Sequence, residues 1–322
     1  MRRRSVITGL AALLVAPEHS AAQQAPAKVP RVGILSAAES DKTPLFDAFR
    51  TGLREFGWVE GRNIILDFRL AHGDAALLPR MAEELVNLPV DVILCDQGLE
   101  LLTAATRTIP IVAMLGDPLA FGLASLSRPG GNVTGFTFMH RELSAKRLEM
   151  LRAAFPHVST VAVLLNPHGP AAVTKFNATE EGARWIGQLS VVKIAAGSAE
   201  DLLGLRPTVF VGADGVVVIG DGMFWNHRRD IVALVNAARL PAIYPEREYV
   251  EDGGLMAYGA NAPDNFHRAA DYVDRILKGT KSSDLPIQQP VKFDFVVHLK
   301  TAKDLGLTIP PSILARLSEV IE

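Results

Sequence analysis

The chain has 322 residues, of which 48% are apolar and 21% are charged, so it is long enough to build two hydrophobic cores. The formal net charge is −2 and no block of like charges occurs, which argues against a nucleic-acid partner. The single cysteine, Cys95, excludes an internal disulfide.

Residues 1–22 have the pattern of a cleaved signal peptide. Three arginines at 2–4 precede an apolar run at 6–16 that is too short to span a bilayer, and small residues at 20–22 predict cleavage after Ala22. The pattern at 3–7 resembles a twin-arginine export signal, and a disordered or interfacial N-terminal helix is the alternative. We therefore expect a soluble protein exported to the periplasm.

The first part of the remaining chain alternates strand and helix patterns. Apolar runs or period-two alternation predict strands at 31–35, 63–70, 91–95 and 109–115. Helical spacing of apolar residues predicts helices at 43–56, 77–88 and 100–106. Strict alternation of this kind is typical of a parallel sheet that is covered by helices on both faces.

The alternation then repeats after the turn signal Arg-Pro-Gly-Gly at 128–131. A strand is predicted at 132–138 and an amphipathic helix at 142–155. The second set of strands is predicted at 160–165, 189–194, 215–219, 242–244 and 255–258. Further helices are predicted near 171–186, 227–239 and 263–278.

Two similar sets of elements predict an α/β fold of two doubly wound parallel-sheet lobes. We assign 31–137 and 259–288 to an N-terminal lobe, and 138–258 and 289–322 to a C-terminal lobe. The chain would cross between them three times, the last time within the extended, non-helical stretch 286–297. Such a hinge allows a cleft to close over a ligand beyond the carboxyl ends of the strands.

Motifs of common enzymes are missing from the sequence. It contains no phosphate-binding G-x-x-x-x-G-K-[ST], no G-x-G-x-x-G after the first strand and no G-x-S-x-G. The eight histidines show no metal-ligand spacing, so we expect no metal, no cofactor and no enzymatic activity. A lyase or racemase that uses Asp117 or Cys95 remains an alternative, although a two-base racemase would need a second cysteine.

Polar residues follow the predicted strands of both lobes, and we take six of them as candidate ligand-binding residues. Each one alone is equally well explained as a turn or cap residue. As a set, they come from both lobes and lie where a cleft would form, which suits reversible binding of a small molecule. The six are Ser36, Gln97, Asp117, Asn166, Asp221 and Tyr258.

Asp117 has a second predicted role, because Asp is a preferred helix cap and Pro118 is favoured at the first helical position. An ionised Asp117 that caps this helix and lines the cleft would disfavour anions. It would favour an ammonium or hydroxyl group of the ligand.

Two long segments carry a family resemblance: GLASLSRPGGNVTG at 122–135 and AIYPEREYVEDGGLMAYG at 242–259. With these the chain resembles the tryptophan/tyrosine-type substrate-binding proteins of ABC transporters, which have the type I periplasmic-binding fold. The resemblance implies a monomeric receptor that captures a small solute, with an amino acid or an aromatic compound as candidates. It would deliver the solute to a membrane permease driven by a separate ATPase, and touch the membrane only through that permease.

The resemblance also implies that ligand contacts come from the strand-end loops that carry the six candidate residues. The sequence departs from the family pattern in two places. Where members carry a Thr/Gly-rich loop, this chain has CDQGLELL at 95–102, which changes the polarity of the pocket wall, so an amino-acid ligand is not carried over. The stretch 173–213 is less regular than in members, and 205–211 breaks an expected helix. A sensor of the same fold that signals to a membrane receptor is the alternative function.

Overall fold

The computed structural model describes residues 28–123, 125–169 and 171–322, so the predicted signal peptide lies outside the described residues. Among the residues described, no helix has the length and apolar character needed to cross a membrane. The strands are β1 Arg31–Ser36, β2 Ile65–Leu70, β3 Val92–Cys95, β4 Ile111–Leu115, β5 Val133–Thr137, β6 Thr160–Leu165, β7 Ser190–Ala195, β8 Gly215–Val218, β9 Ala242–Tyr244, β10 Met256–Ala260, β11 Phe293–His298 and β12 Glu319–Ile321.

The helices alternate with these strands along the chain. They are α1 Pro44–Glu55, α2 Leu78–Asn87, α3 Leu99–Ala105, α4 His140–Ala154, α5 Ala172–Ile186, α6 Ala199–Gly204, α7 Gly222–Asn226, α8 Arg228–Ala237, α9 Arg247–Glu251, α10 Ala262–Leu277, α11 Leu299–Leu305 and α12 Pro311–Leu314. Four short 3-10 turns occur at Ala75–Leu77, Pro118–Phe121, Pro207–Phe210 and Ser282–Asp284.

The strands form two separate sheets. The first has five strands in the order β2-β1-β3-β4-β5, all parallel, and the second has seven in the order β12-β11-β10-β9-β8-β6-β7. In the second sheet the β10–β11 pair is antiparallel, with Tyr258 opposite Phe295, and the other pairs are parallel. The predicted fold class is therefore confirmed, with one antiparallel pair that the sequence did not predict.

Both sheets are covered by helices on both faces, so each lobe has two cores. In the first lobe, α1 and α10 cover one face, where Phe49 and Phe266 are buried, and α2 and α3 cover the other, where Leu85 and Leu102 are buried. This doubly wound arrangement explains the uninterrupted apolar sequences of β3, β4 and β8, because a strand buried on both faces needs no polar alternation.

The chain passes between the sheets three times. It leaves the first sheet after β5 to begin α4, returns after β10 to begin α10, and leaves again before β11. Before the last crossing, Gln288 pairs with β5: Thr137 N donates to Gln288 O, and Gln288 N donates to Gly135 O, both at 2.9 Å. The predicted lobe boundaries, 31–137 with 259–288 and 138–258 with 289–322, stay a prediction.

Candidate functional site

A cavity of about 340 Å³ lies between the two sheets, a volume within the usual range for small-molecule sites. It is lined by the loops that follow β3 and β4 of the first sheet and β6 and β8 of the second. The carboxyl ends of strands from both lobes therefore face one space, as expected for doubly wound sheets. A larger groove of about 890 Å³ between α4 and α5 is an open surface feature, and none of the six predicted residues lines it.

The structure brings four of the six predicted residues to the cavity and leaves two outside it. Gln97, Asp117, Asn166 and Asp221 line the cavity. Ser36 is fully buried beside it, and Tyr258, on the interior strand β10, stacks on Phe293 with ring centroids 6.2 Å apart. That the four bind a ligand stays a prediction.

Ser36 does not line the cavity, but it holds the side chain of Asp96, which does. The Ser36 hydroxyl donates to Asp96 Oδ2 at 2.8 Å, while Asp96 Oδ1 is buried and has no hydrogen-bond partner among the described side chains and backbone. Burial raises the pKa of Asp96 to about 6, although the Ser36 hydrogen bond and the nearby backbone N–H groups of Asp96 and Gln97 oppose the shift. Asp96 is therefore mostly ionised at neutral pH, with one oxygen free to accept.

Asp117 caps the 3-10 turn Pro118–Phe121, as predicted, although the helix is only four residues long. Its Oδ1 accepts a hydrogen bond from Leu119 N at 3.1 Å, and Oδ2 lies 3.5 Å from Arg141 Nε. The carboxylate is 4% exposed. Asp117 thus has a local structural role and a partner cation before any ligand is considered.

Asp221 occupies the corresponding position in the second lobe. It caps α7, and its Oδ1 accepts hydrogen bonds from Met223 N at 2.9 Å and Phe224 N at 3.3 Å. Asn166 Nδ2 also donates to Asp221 Oδ1, at 3.2 Å. The two residues predicted from different strands of the second lobe therefore form one polar unit at the wall of the cavity.

Gln97 connects the two sides of the cavity. Its Nε2 donates to Asn226 Oδ1, at the end of α7, at 3.4 Å. Gln97 also approaches Gly222, where an added Cβ would lie 3.2 Å from the Gln97 side-chain carbon. The loop after β3 in one lobe and α7 in the other are thus in direct contact across the cleft.

The sequence reasoning missed three charged or titratable residues at the base of the cavity: His140, Lys175 and Glu246. The His140 ring fits between Gly116 and Gly220, where an added Cβ would approach the ring to 2.9 and 2.7 Å, respectively. A signal for this site exists in the sequence, because Gly116-Asp117 and Gly220-Asp221 repeat the same dipeptide after a strand of each lobe.

These three residues are buried, and burial dominates their titration. Burial raises the pKa of Glu246 to about 8, even though the Arg147 charge opposes it. Burial lowers the pKa of Lys175, whose Nζ donates a hydrogen bond to Gly220 O at 2.9 Å. Burial also lowers the pKa of His140 well below its usual value, and the positive charges of Lys175 and Arg147 add to this shift. His140 Nε2 lies 3.3 Å from Glu246 Oε1, so a neutral imidazole faces a protonated carboxyl at neutral pH.

Arg147 of α4 lies behind this group, fully buried and bound to backbone carbonyls. Its Nε donates to Tyr258 O at 2.8 Å, and its two terminal nitrogens donate to His140 O and Pro245 O at 3.4 Å each. Arg147 therefore ties the start of α4 to the end of β9 and the middle of β10, and it does not line the cavity.

Neither nucleophilic nor metal chemistry has support in this site. Burial, together with the Asp96 and Glu100 charges, raises the pKa of the Cys95 thiol well above its usual range, so it is a poor nucleophile. Within residues 28–123, 125–169 and 171–322, no group of three or more His, Cys, Asp or Glu side chains is arranged to hold a metal ion.

Two doubly wound lobes that enclose a cavity beyond their strand ends define the class of two-lobed α/β binding proteins. Comparison with known proteins places the chain within that class. The family described as "ABC transporter substrate binding protein" matches residues 32–321, so the chain belongs to this family. The family prediction made from the sequence is confirmed.

One relative is a protein named "Tyrosine-binding protein" from Clostridioides difficile (strain R20291). It is 25% identical over 275 residues, which cover 80% of this chain and 75% of the relative.

Two solved structures have folds similar to that of this chain. An ABC domain in complex with L-Trp from Streptococcus pneumonia is 24% identical, with 90% of this chain and 100% of that chain covered and a TM-score of 0.81. A ligand-free, open substrate binding protein with adhesive properties from Clostridium difficile is 25% identical. The match covers 91% of this chain and 99% of that chain, with a TM-score of 0.66.

Proposed function

We propose that this protein captures a small solute in the cavity between its lobes, in the periplasm, and delivers it to a membrane permease whose ATPase is a separate chain. The observation that carries the proposal is the cavity itself, which both lobes line and which the Gln97–Asn226 contact bridges. Its volume, its polar strand-end residues and its position at the hinge suit reversible capture rather than turnover.

The likeness to known structures supports a closed arrangement of the lobes. The chain matches the relative that holds L-Trp better than the open, ligand-free one, at similar sequence identity. In this arrangement a ligand would be enclosed, so binding requires the lobes to open and close. The names of the relatives, one for tyrosine and one in complex with L-Trp, point to a ligand with an aromatic ring. The aromatic side chains Phe138, Trp225 and Phe266 at the cavity wall agree with such a ligand.

A thermal-shift screen of the mature protein from Gln23 onward tests the function. A ligand that binds only the folded state raises the unfolding temperature with its concentration. We expect at least one compound among amino acids, aromatic amines and acids, nucleosides and sugars to do so, without being consumed. A compound that is converted would favour an enzyme, and a screen in which nothing shifts the transition would contradict the proposal.

Localisation is tested separately. Expression of the full chain, followed by fractionation and N-terminal sequencing, should find a periplasmic, monomeric protein that begins at Gln23. A protein retained in the cytoplasm with residues 1–22 intact would contradict this part of the proposal.

A further inference from the structure

The charged side chains that line the cavity are unbalanced toward negative charge. Lys175 is the only lysine or arginine among the described lining residues. Five carboxyl groups face the same space: Asp96, Glu100, Asp117, Asp221 and Glu246. A ligand that enters the cavity therefore meets an acidic wall.

Some of these carboxyl groups are already neutralised within the protein. Glu246, with its pKa raised to about 8, is mostly protonated and uncharged at neutral pH. Asp117 lies 3.5 Å from Arg141 Nε, and the Lys175 charge acts most strongly on Asp221. Asp96 and Glu100 are left: neither forms a salt bridge within 4.0 Å in the part of the chain that the structure describes, and neither is among the acidic groups whose charge acts on Lys175.

These two carboxylates differ in what surrounds them. Glu100 is exposed at the start of α3, where water and salt screen its charge. Asp96 is held in place by the Ser36 hydroxyl, and its buried Oδ1 accepts no hydrogen bond from the described residues. A buried carboxylate oxygen without a donor is costly, so its geometry favours a donor supplied by the ligand, and a charged donor most of all.

The cavity wall also has a large apolar part. It includes Leu45, Met114, Phe138 and Phe266 from the first lobe, and Met223 and Trp225 from the second. A ligand carboxylate would find no arginine here, and Lys175 Nζ already donates to Gly220 O and faces Asp221 and Asp117. An anionic group on the ligand would therefore lie among carboxylates that repel it.

We propose that the ligand is an organic cation, with an ammonium group bound by Asp96, an apolar or aromatic body, and no carboxylate. The inference rests on the proposed capture function and names its ligand class. On this inference the protein prefers a cationic ligand, whereas a receptor for an amino acid binds a zwitterion.

Calorimetric titration of the mature protein with matched pairs tests the inference. The pairs are tyramine against tyrosine and tryptamine against tryptophan, with indolepropionate as the anion. We expect each amine to bind about tenfold or more tightly than its amino acid, and indolepropionate to bind weakest. Equal or tighter binding of either amino acid, or no binding by any of these compounds, overturns the inference.

Failure of the ligand class is distinguishable from failure of the function. If the five probes do not bind but another solute in the thermal-shift screen does, the charge selection is wrong and the capture function stands. If no solute of any kind binds, both are wrong.

The variant Asp96→Asn tests the role of Asp96, because it removes the charge and keeps an oxygen for the Ser36 hydroxyl. We expect it to weaken binding of the amine that the wild type binds by about tenfold or more, with its unfolding temperature largely retained. Asp230→Asn, at an exposed carboxylate on α8, is the matched control and should bind as the wild type does. An Asp96→Asn protein that binds the amine with unchanged affinity overturns the assignment of Asp96.

Discussion

Two aspartates, Asp117 and Asp221, each follow a glycine at the end of a strand, and each accepts hydrogen bonds from the backbone of the turn that follows. Both also line the cavity. One short motif, repeated in the two lobes, therefore fixes a local turn and places a carboxylate at the site. The proposed binding role would thus be combined with a capping role in the same side chain. The effect of a substitution on binding is therefore compared with that at a capping residue that does not line the cavity.

Asp117→Ala should weaken ligand binding by about tenfold or more, while the lost cap costs about 1 kcal/mol of stability. The reason is that Asp117 places a buried carboxyl group at the cavity wall as well as capping the turn. Asp74→Ala is the control, since Asp74 caps the 3-10 turn Ala75–Leu77 through Ala76 N without lining the cavity. Equal affinity in the two variants, measured by titration alongside chemical unfolding, would mean that Asp117 acts only as a cap.

Glu246 makes stability depend on pH. Its pKa is raised from an ordinary 4.5 to about 8 in the folded protein, so between these values the folded state retains a proton that the unfolded state has released. Its contribution is therefore fully present below pH 4.5 and is lost progressively as the pH rises through 8. Glu246→Gln mimics the protonated form and should remove this dependence.

The measurement is the unfolding temperature of both proteins between about pH 5 and pH 9. The advantage of the wild type over Glu246→Gln should be largest at the acidic end and should decline until about pH 8. Glu83→Gln, at an exposed position on α2, should follow the wild-type curve. Parallel curves for wild type and Glu246→Gln would show that this carboxyl group does not hold its proton in the fold.

The sequence predicted one kind of site residue well and another kind poorly. Asp117 and Asp221 were found because strand ends and cap signals are local patterns. His140, Lys175 and Glu246 were missed because they come from α4, α5 and the loop after β9, and only tertiary packing brings them together. The prediction that Tyr258 ends a strand was wrong, because β10 continues to Ala260 and places Tyr258 at its centre, where the ring stacks on Phe293.

At the scale of elements, the long periodic segments were predictable and the short ones were not. Strands β1, β3, β4, β6 and β8 agree with the predicted apolar runs within a few residues. The stretch 286–297, predicted only as an extended crossing, ends in β11, whose antiparallel pairing with β10 no local pattern specifies. Helices α6, α7, α9, α11 and α12 were not predicted, because helices of four to seven residues are too short to show a clear period.

Close packing between α1 and α10 depends on Gly52. A Cβ at Gly52 would lie 2.4 Å from His267 O, so Gly52→Ala should separate the two helices and destabilise the protein by about 1–3 kcal/mol. Gly204→Ala is the matched control, since Gly204 ends α6 with no atom within 4 Å of its built Cβ. We expect this control to be neutral or slightly stabilising in denaturant unfolding. A Gly52→Ala protein as stable as the control would show that α1 and α10 can separate at little cost.

At the scale of the whole molecule, His140 lies where the two lobes meet. Its backbone N donates to Gly116 O at 3.1 Å, its ring stacks on Phe138 with centroids 5.6 Å apart, and its Nε2 faces Glu246. Because the ring contacts strand ends of both lobes, the spacing of the closed lobes depends on the absence of a side chain at Gly116.

Gly116→Ala should hold the lobes apart. The added methyl would lie 2.9 Å from the His140 ring and 3.8 Å from Lys175 Nζ, so closure would be hindered without loss of either lobe's core. With a bound ligand, small-angle scattering should show a larger radius of gyration than for the wild type, and affinity should fall. The double variant Gly116→Ala with His140→Ala restores the space and should restore closure. An unchanged radius and affinity in the single variant would contradict this role of the glycine.

The three crossings between the lobes also have a consequence for folding order. The α10 helix, which covers α1 in the first lobe, begins at Ala262, and β11 and β12 of the second sheet come later still. Neither lobe can be completed until almost the whole chain has been synthesised, and contacts this distant in sequence are slow to form. A chain that stops before residue 262 would lack part of each lobe, so truncation there would leave no single intact domain.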